Sequence, residues 1–163
     1  MAKILPGVND GQIAIDDPRA ADVRALLTVH LTFARAHTPP EDAHAMDVDR
    51  LLDPAVTFFG YRAGGKLLAI GALKQLDAHH GEIKSMHTAQ DARGRGLGRE
   101  MLAHLIAVAR ERGYESVSLE TGSMASFEPA RSLYAGAGFE PCSPFGNYRE
   151  SPNSTYMTLV LAS

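Results

Sequence analysis

The clearest chemistry in this sequence lies in Ala92 to Gly98, ARGRGLG, where three glycines and two arginines stand directly before an amphipathic helical pattern. Glycine is a poor helix residue, and cations at a helix start oppose the helix dipole. Both departures are accounted for by a bound anion. The first backbone N–H groups of a helix have no intrahelical partner, and the dipole there favours negative charge. Glycines let the backbone approach the anion closely. Arg93, Arg95 and Arg99 add mobile positive charge, which suits a pyrophosphate with a further phosphate nearby. The stretch lacks the lysine and hydroxyl of a P-loop and the G-x-G-x-x-G spacing of a dinucleotide fold.

The elements that must hold this turn are legible from periodicity. GQIAIDD alternates as a first strand. Asp17 is placed as an N-cap with Pro18 in the first turn of a helix carrying Val23, Leu26, Leu27, His30, Leu31 and Ala34 at helical spacing. HTPPEDAHAMD breaks that helix as a loop, and a short helix follows over Val48 to Leu52. AVTFFGYRA and KLLAIGALKQL, joined at Gly64 and Gly65, read as a β-hairpin. GEIKSMHTA is a further strand leading into the glycine-rich turn. Leu97, Met101, Leu102, Leu105, Ile106 and Ala109 then form one apolar stripe that stops at Gly113. ESVSLET is a strand, EPARSLYAGAGF a short helix with Pro129 in its first turn, and STYMTLVLA a closing strand. The predicted order is β-α-α-β-β-β-α-β-α-β, an α/β fold with a mixed central sheet flanked by helices.

Size and composition narrow the class. A chain of 163 residues is expected to form one domain, 1–163, with a core that needs no staples. Cys142 is the single cysteine, so no internal disulfide forms and a reducing cytoplasm is expected. The net charge of −3 argues against a nucleic-acid partner. No apolar run reaches membrane-spanning length, and the N-terminus lacks a signal-peptide apolar region, so no membrane association is expected.

RGRGLG matches the R/Q-x-x-G-x-G/A element of the GNAT superfamily of acetyl-CoA-dependent N-acetyltransferases, with Arg93, Gly96 and Gly98 in the defining places. The segment from Glu82 to Gly122 resembles that superfamily's strand–turn–helix–strand core, and ARSLYAGAGF is similar to its A-x-x-L-Y-x-x-x-G-F segment. The resemblance covers nearly the full chain. It implies direct acetyl transfer from acetyl-CoA, as co-substrate and without a metal, to a primary amine. It also implies a cofactor surface made by Met86, His87 and Thr88, by Arg93, Gly94, Arg95, Gly96, Leu97, Gly98 and Arg99, and by Phe127 and Tyr134. One position departs: Phe127 stands where the superfamily often has an asparagine that contacts the pantetheine arm.

The same resemblance assigns the proton work. Tyr134 takes the place of the acid, or hydrogen-bond donor, to the departing thiolate. Glu82 lies eleven residues before Arg93, matching the base of the histone-acetylating branch. Glu120 and His87 are the alternative bases, and many relatives work through ordered water. On the acceptor side, His37 begins a loop suited to line a pocket, and Tyr148 with Arg149 suits an acceptor carboxylate. The remaining histidines are scattered or adjacent, which gives no metal site. The expected acceptor is a small-molecule amine. The competing readings are a protein lysine or N-terminal acetyltransferase, a non-catalytic acetyl-CoA-binding module, and a nucleotide-binding regulator. Homodimers are common in the superfamily, so a homodimer is a state to expect.

Overall fold

The computed structural model describes residues 11–37 and 48–161. Along the chain run β1 (Gln12–Ile15), α1 (Ala21–His37), α2 (Val48–Leu51), β2 (Val56–Ala63), β3 (Lys66–Asp77), β4 (His80–Thr88), α3 (Leu97–Glu111), β5 (Ser116–Gly122), α4 (Glu128–Gly136), β6 (Glu140–Pro141) and β7 (Ser154–Val160). They build one seven-stranded sheet in the order β1-β2-β3-β4-β5-β7-β6. All neighbours are antiparallel except β4 and β5, which run parallel with α3 as their crossover. The element order is the expected one with β6 added. That strand has only two residues, too few to show any alternation, and pairs with Thr158 and Met157. The loop expected after His37 falls at 38–47, outside the described residues.

The alternation of β2 and β3 divides the core into two layers. Phe59, Leu73, Ile83 and Leu119 pack with the α3 stripe, Leu97, Met101, Leu102 and Leu105, on one face. Phe58, Ile70 and Ala72 pack with Val23, Leu26 and Leu27 of α1 on the other. Gly71 lets α3 approach: a Cβ there would lie 2.8 Å from Met101 Cγ. Asp17 caps a turn rather than the helix, since its Oδ1 accepts the Arg19 N–H at 2.9 Å and α1 starts only at Ala21. Arg62 ties β1 to α1 by pairing with Asp16 at 2.8 Å and Asp22 at 2.6 Å.

Two irregularities of β4 open the sheet. Ile70 faces His87 and Ala72 faces Lys84, so Gly71 opposes both Ser85 and Met86 in a β-bulge. Ser85 sits at φ 57°, and no other described residue except glycine has a positive φ. On the opposite edge, β4 pairs with β5 only from His80 to Ile83. Beyond that point β5 continues along β7, Glu120 facing Tyr156 and Gly122 facing Ser154. Lys84–Thr88 and Glu120–Gly122 therefore separate, and a gap opens through the sheet.

Candidate active site

The gap is the centre of a cleft of about 570 Å³. One end lies at the turn before α3. There Gly94 and Gly96 have φ of 82° and 78°, the left-handed conformation that favours glycine, and nothing lies within 4 Å of where a Cβ would project. Gly96 begins α3 without a side-chain cap, so the first N–H groups of the helix are presented to whatever occupies the turn. Arg93 lines the cleft and leans towards the Thr88 carbonyl, with Nε 3.5 Å away. Arg95 and Arg99 are exposed, and neither they nor Gly94, Gly96 and Leu97 line the cleft. Gly98 has an ordinary φ, and a Cβ there would make ordinary contacts with Leu133 at 3.4 Å and Thr88 Oγ1 at 4.0 Å.

Tyr134 approaches the cleft from α4, packed edge-on against Phe139. It is buried, and burial together with the nearby Glu120 carboxylate pushes its pKa up to about 12. The phenol therefore keeps its proton at neutral pH.

The far side of the gap is polar. Ile83 belongs to the α3 face of β4, so Glu82 and Lys84 project to the α1 face. His87 also faces α1, beyond the bulge. The Tyr148 hydroxyl donates to Glu82 Oε2 at 2.6 Å, and the Lys84 ammonium donates to the same oxygen at 3.0 Å and to the Tyr148 oxygen at 2.8 Å. Burial first, then the Glu82 charge, drives the Tyr148 pKa far up, so Tyr148 is a proton donor throughout. His87 Nδ1 lies 3.1 Å from His30 Nδ1, one donating and one accepting, with the rings edge to face. Burial lowers both pKa values to about 4, helped by His87 for His30 and by Arg93 for His87. Both imidazoles are neutral at pH 7.

Strand, uncapped glycine turn, helix and splayed parallel partner form one cavity here. The sequence matches the model of the Acetyltransferase (GNAT) family over residues 22–139. The chain belongs to the GNAT acetyltransferase family. It is 48% identical over 149 residues to the uncharacterized N-acetyltransferase YsnE of Bacillus subtilis (strain 168), covering 91% of this chain and 99% of that protein. It is 42% identical to the uncharacterized N-acetyltransferase YedL of Escherichia coli (strain K12), covering 91% and 94%. Among solved structures, a putative acyl-CoA N-acyltransferase from Klebsiella pneumoniae superposes with a TM-score of 0.76 at 25% identity, covering 94% of this chain and 99% of that one. A Bacillus subtilis acetyltransferase in complex with CoA shares the fold at TM-score 0.70 and 18% identity, covering 93% and 99%.

In this GNAT acetyltransferase, the cleft gathers Glu82, Met86, His87, Thr88, Arg93, Gly98, Glu120, Phe127, Tyr134 and Tyr148 of the residues read from the sequence. Phe127 lies over the end of β5: a Cβ on Gly122 would come within 2.3 Å of its ring, so glycine makes room for it. The ring also meets Phe33 of α1 edge-on at 5.3 Å. His37 is exposed, meets the Phe33 ring at a tilt with centroids 4.4 Å apart, and does not line the cleft. Arg149 is exposed and lies off the lining, and its carbonyl accepts the Tyr156 hydroxyl at 2.7 Å.

Lys84, Ser85 and His30 line the cleft without having been singled out for the site from the sequence. Lys84 sits on a strand between Ile83 and Ser85, where it reads as a solvated lysine. His30 falls on the apolar stripe of α1, where it reads as packing. The one signal for Lys84 is its i, i+2 spacing from Glu82, which puts both on one strand face.

Proposed function

We propose that this acetyltransferase transfers the acetyl group of acetyl-CoA to the primary amine of a small molecule, with the Arg93–Gly98 turn holding the phosphates and the α1 face of β4 receiving the amine. One observation carries the reading. A single cavity runs from Arg93 and Gly98, on either side of the turn before α3, to the Glu82–Lys84–Tyr148 cluster through the gap between β4 and β5. Its size is that of a small-ligand site. Its acceptor-side polar groups are buried, with Glu82 4% exposed and the Lys84 side chain 10%, so recognition happens inside the cleft rather than on an outer surface.

The residues present fit acetyl-CoA. Gly94 and Gly96 leave room at the helix start, Arg93 lines the path inward, and the edge of β4 beyond Ile83 lacks a β5 partner. Acetyl-CoA supplies an activated thioester whose acyl carbon accepts the amine nitrogen and leaves CoA as the thiol. The chain's own groups handle the protons. Glu82 takes the ammonium proton, directly or through water: both of its donors sit on Oε2, and neither uses Oε1. Glu120, on the splayed end of β5, is the alternative base. Tyr134 holds its proton and donates it, or a hydrogen bond, to the leaving sulfur. Phe127 and Phe33 bring apolar surface to the cleft in place of an amide contact to the pantetheine arm. We place this activity in one domain in the cytoplasm, in keeping with the lone free Cys142.

The test is an acetyl-CoA assay on small amines beside peptides bearing lysine or a free N-terminus. Amine-dependent CoA release with small amines supports the reading. Release with peptides alone moves the acceptor to protein.

A further inference from the structure

Around the bulge in β4, Lys84, Ser85 and His87 carry polar groups without a full set of partners. Ser85 is 9% exposed and its Oγ is buried with no hydrogen-bond partner. His87 Nε2 is likewise buried and unpartnered. The Lys84 ammonium has three N–H donors, and among the described residues its bonds go to Glu82 Oε2 and the Tyr148 oxygen. All three residues line the cleft.

Buried polar groups in native proteins are almost always satisfied, so such a cluster marks where a ligand supplies the missing bonds. The strained φ of 57° at Ser85 belongs to the bulge that lies between Lys84 and His87. Their common chemistry is donation. An ammonium can only donate, and a serine hydroxyl donates readily to an anion. His87 donates from Nε2 when His30 provides the proton of the Nδ1 to Nδ1 bond. Glu82 and Glu120 are the carboxylates that line the same cleft, and they suit an ammonium.

We infer that the acceptor is an amino acid-like molecule, whose carboxylate is bound by Lys84, Ser85 and His87 while its amine faces Glu82 and Glu120. The inference rests on the acetyltransferase reading of the same cleft and assigns the carboxylate contact to β4. Lys84 and Ser85 are specificity-determining residues here. Arg149, exposed and off the lining, takes no part.

The experiment pairs the standard amino acids with their decarboxylated amines, L-phenylalanine with phenethylamine and so on, and reads thiol release and acetylated product. Acetyl-CoA binding is followed separately by calorimetry. The expected result is a kcat/KM for at least one amino acid about tenfold or more above that of its decarboxylated partner, the scale of a charged hydrogen bond. In Lys84→Met this ratio falls towards one, and in Lys84→Arg, which keeps a cation, it is largely retained. Ser85→Ala lowers the ratio by less than Lys84→Met does. Circular dichroism and melting of each variant establish that it is folded. Equal use of both members of every pair overturns the inference and leaves the acetyltransferase reading intact. No turnover of any amino acid also overturns it, and calorimetry then tells whether acetyl-CoA binding has failed as well. Retention of the full ratio in folded Lys84→Met overturns the role of Lys84.

Discussion

Tyr148 and Glu82 are 66 residues apart in sequence and share a 2.6 Å hydrogen bond inside the cleft. The bond fastens the segment before β7 onto β4, and Lys84 closes the triangle from above the Tyr148 ring, 5.4 Å from its centroid. Removing the hydroxyl leaves a buried carboxylate with one donor fewer. Tyr148→Phe should therefore lower stability by about 2 kcal/mol, the usual scale for a hydrogen bond to a charged group. Urea unfolding of the two proteins checks this, and equal midpoints would show that the bond contributes nothing.

Tyr134→Phe keeps the buried ring and its packing on Phe139 and deletes only the hydroxyl. It should lower kcat and kcat/KM together by roughly 10- to 1,000-fold, the range for general acid–base catalysis with water as a substitute donor. Calorimetry should show acetyl-CoA affinity nearly unchanged. Full kcat in the variant would make Tyr134 a packing residue.

The glycines of the turn should separate by conformation. Gly96, at φ 78°, should not tolerate a side chain: Gly96→Ala is expected to cost about 1 kcal/mol in αL strain and to weaken CoA binding. Gly98 has an ordinary φ and a contact at 3.4 Å, so Gly98→Ala should fold and bind nearly as the parent does. Calorimetry with CoA on both variants decides it, and the reverse ranking would remove the turn geometry from the account.

The histidine pair gives a pH signature. His30 and His87 have folded pKa values lowered to about 4 from the ordinary 6.5. The unfolded chain therefore takes up protons first as pH falls. The contribution to stability is complete above about pH 6.5 and is lost as pH drops towards 4. Between pH 7 and pH 5 the loss is on the order of 2 kcal/mol per histidine. A His30→Gln/His87→Gln double variant should lose correspondingly less over that interval in urea titrations. An identical loss in both proteins would contradict the buried neutral pair.

Much of this site was legible because its signals are local. The turn at Arg93–Gly98 breaks helix rules within six residues, and the α3 stripe that follows it is periodic over four turns. Tyr134 was carried by a motif inside one short helix. The acceptor side was harder to read, because its contacts join distant segments: Tyr148 to Glu82, His30 to His87, Phe127 to Gly122. The bulge at Ser85 leaves no mark in the sequence either, since positive φ is read from glycine and this position is a serine. Arg149 shows the converse. A cation next to Tyr148 suggests a shared pocket, but adjacent residues in an irregular segment can point apart, and here only Tyr148 turns inward.

On the proposed function, one cavity brings an acetyl thioester to a small amine. The most direct measurement is acetyl-CoA turnover by the purified protein across a panel of small primary amines, with the product identified by mass. The expected result is CoA release that depends on the amine, a product carrying one added acetyl group, and loss of most of that rate in Glu82→Gln. CoA release with peptides alone would contradict transfer to a small amine, and acetyl-CoA that binds and is never consumed with any small amine or peptide would make the protein a binding module.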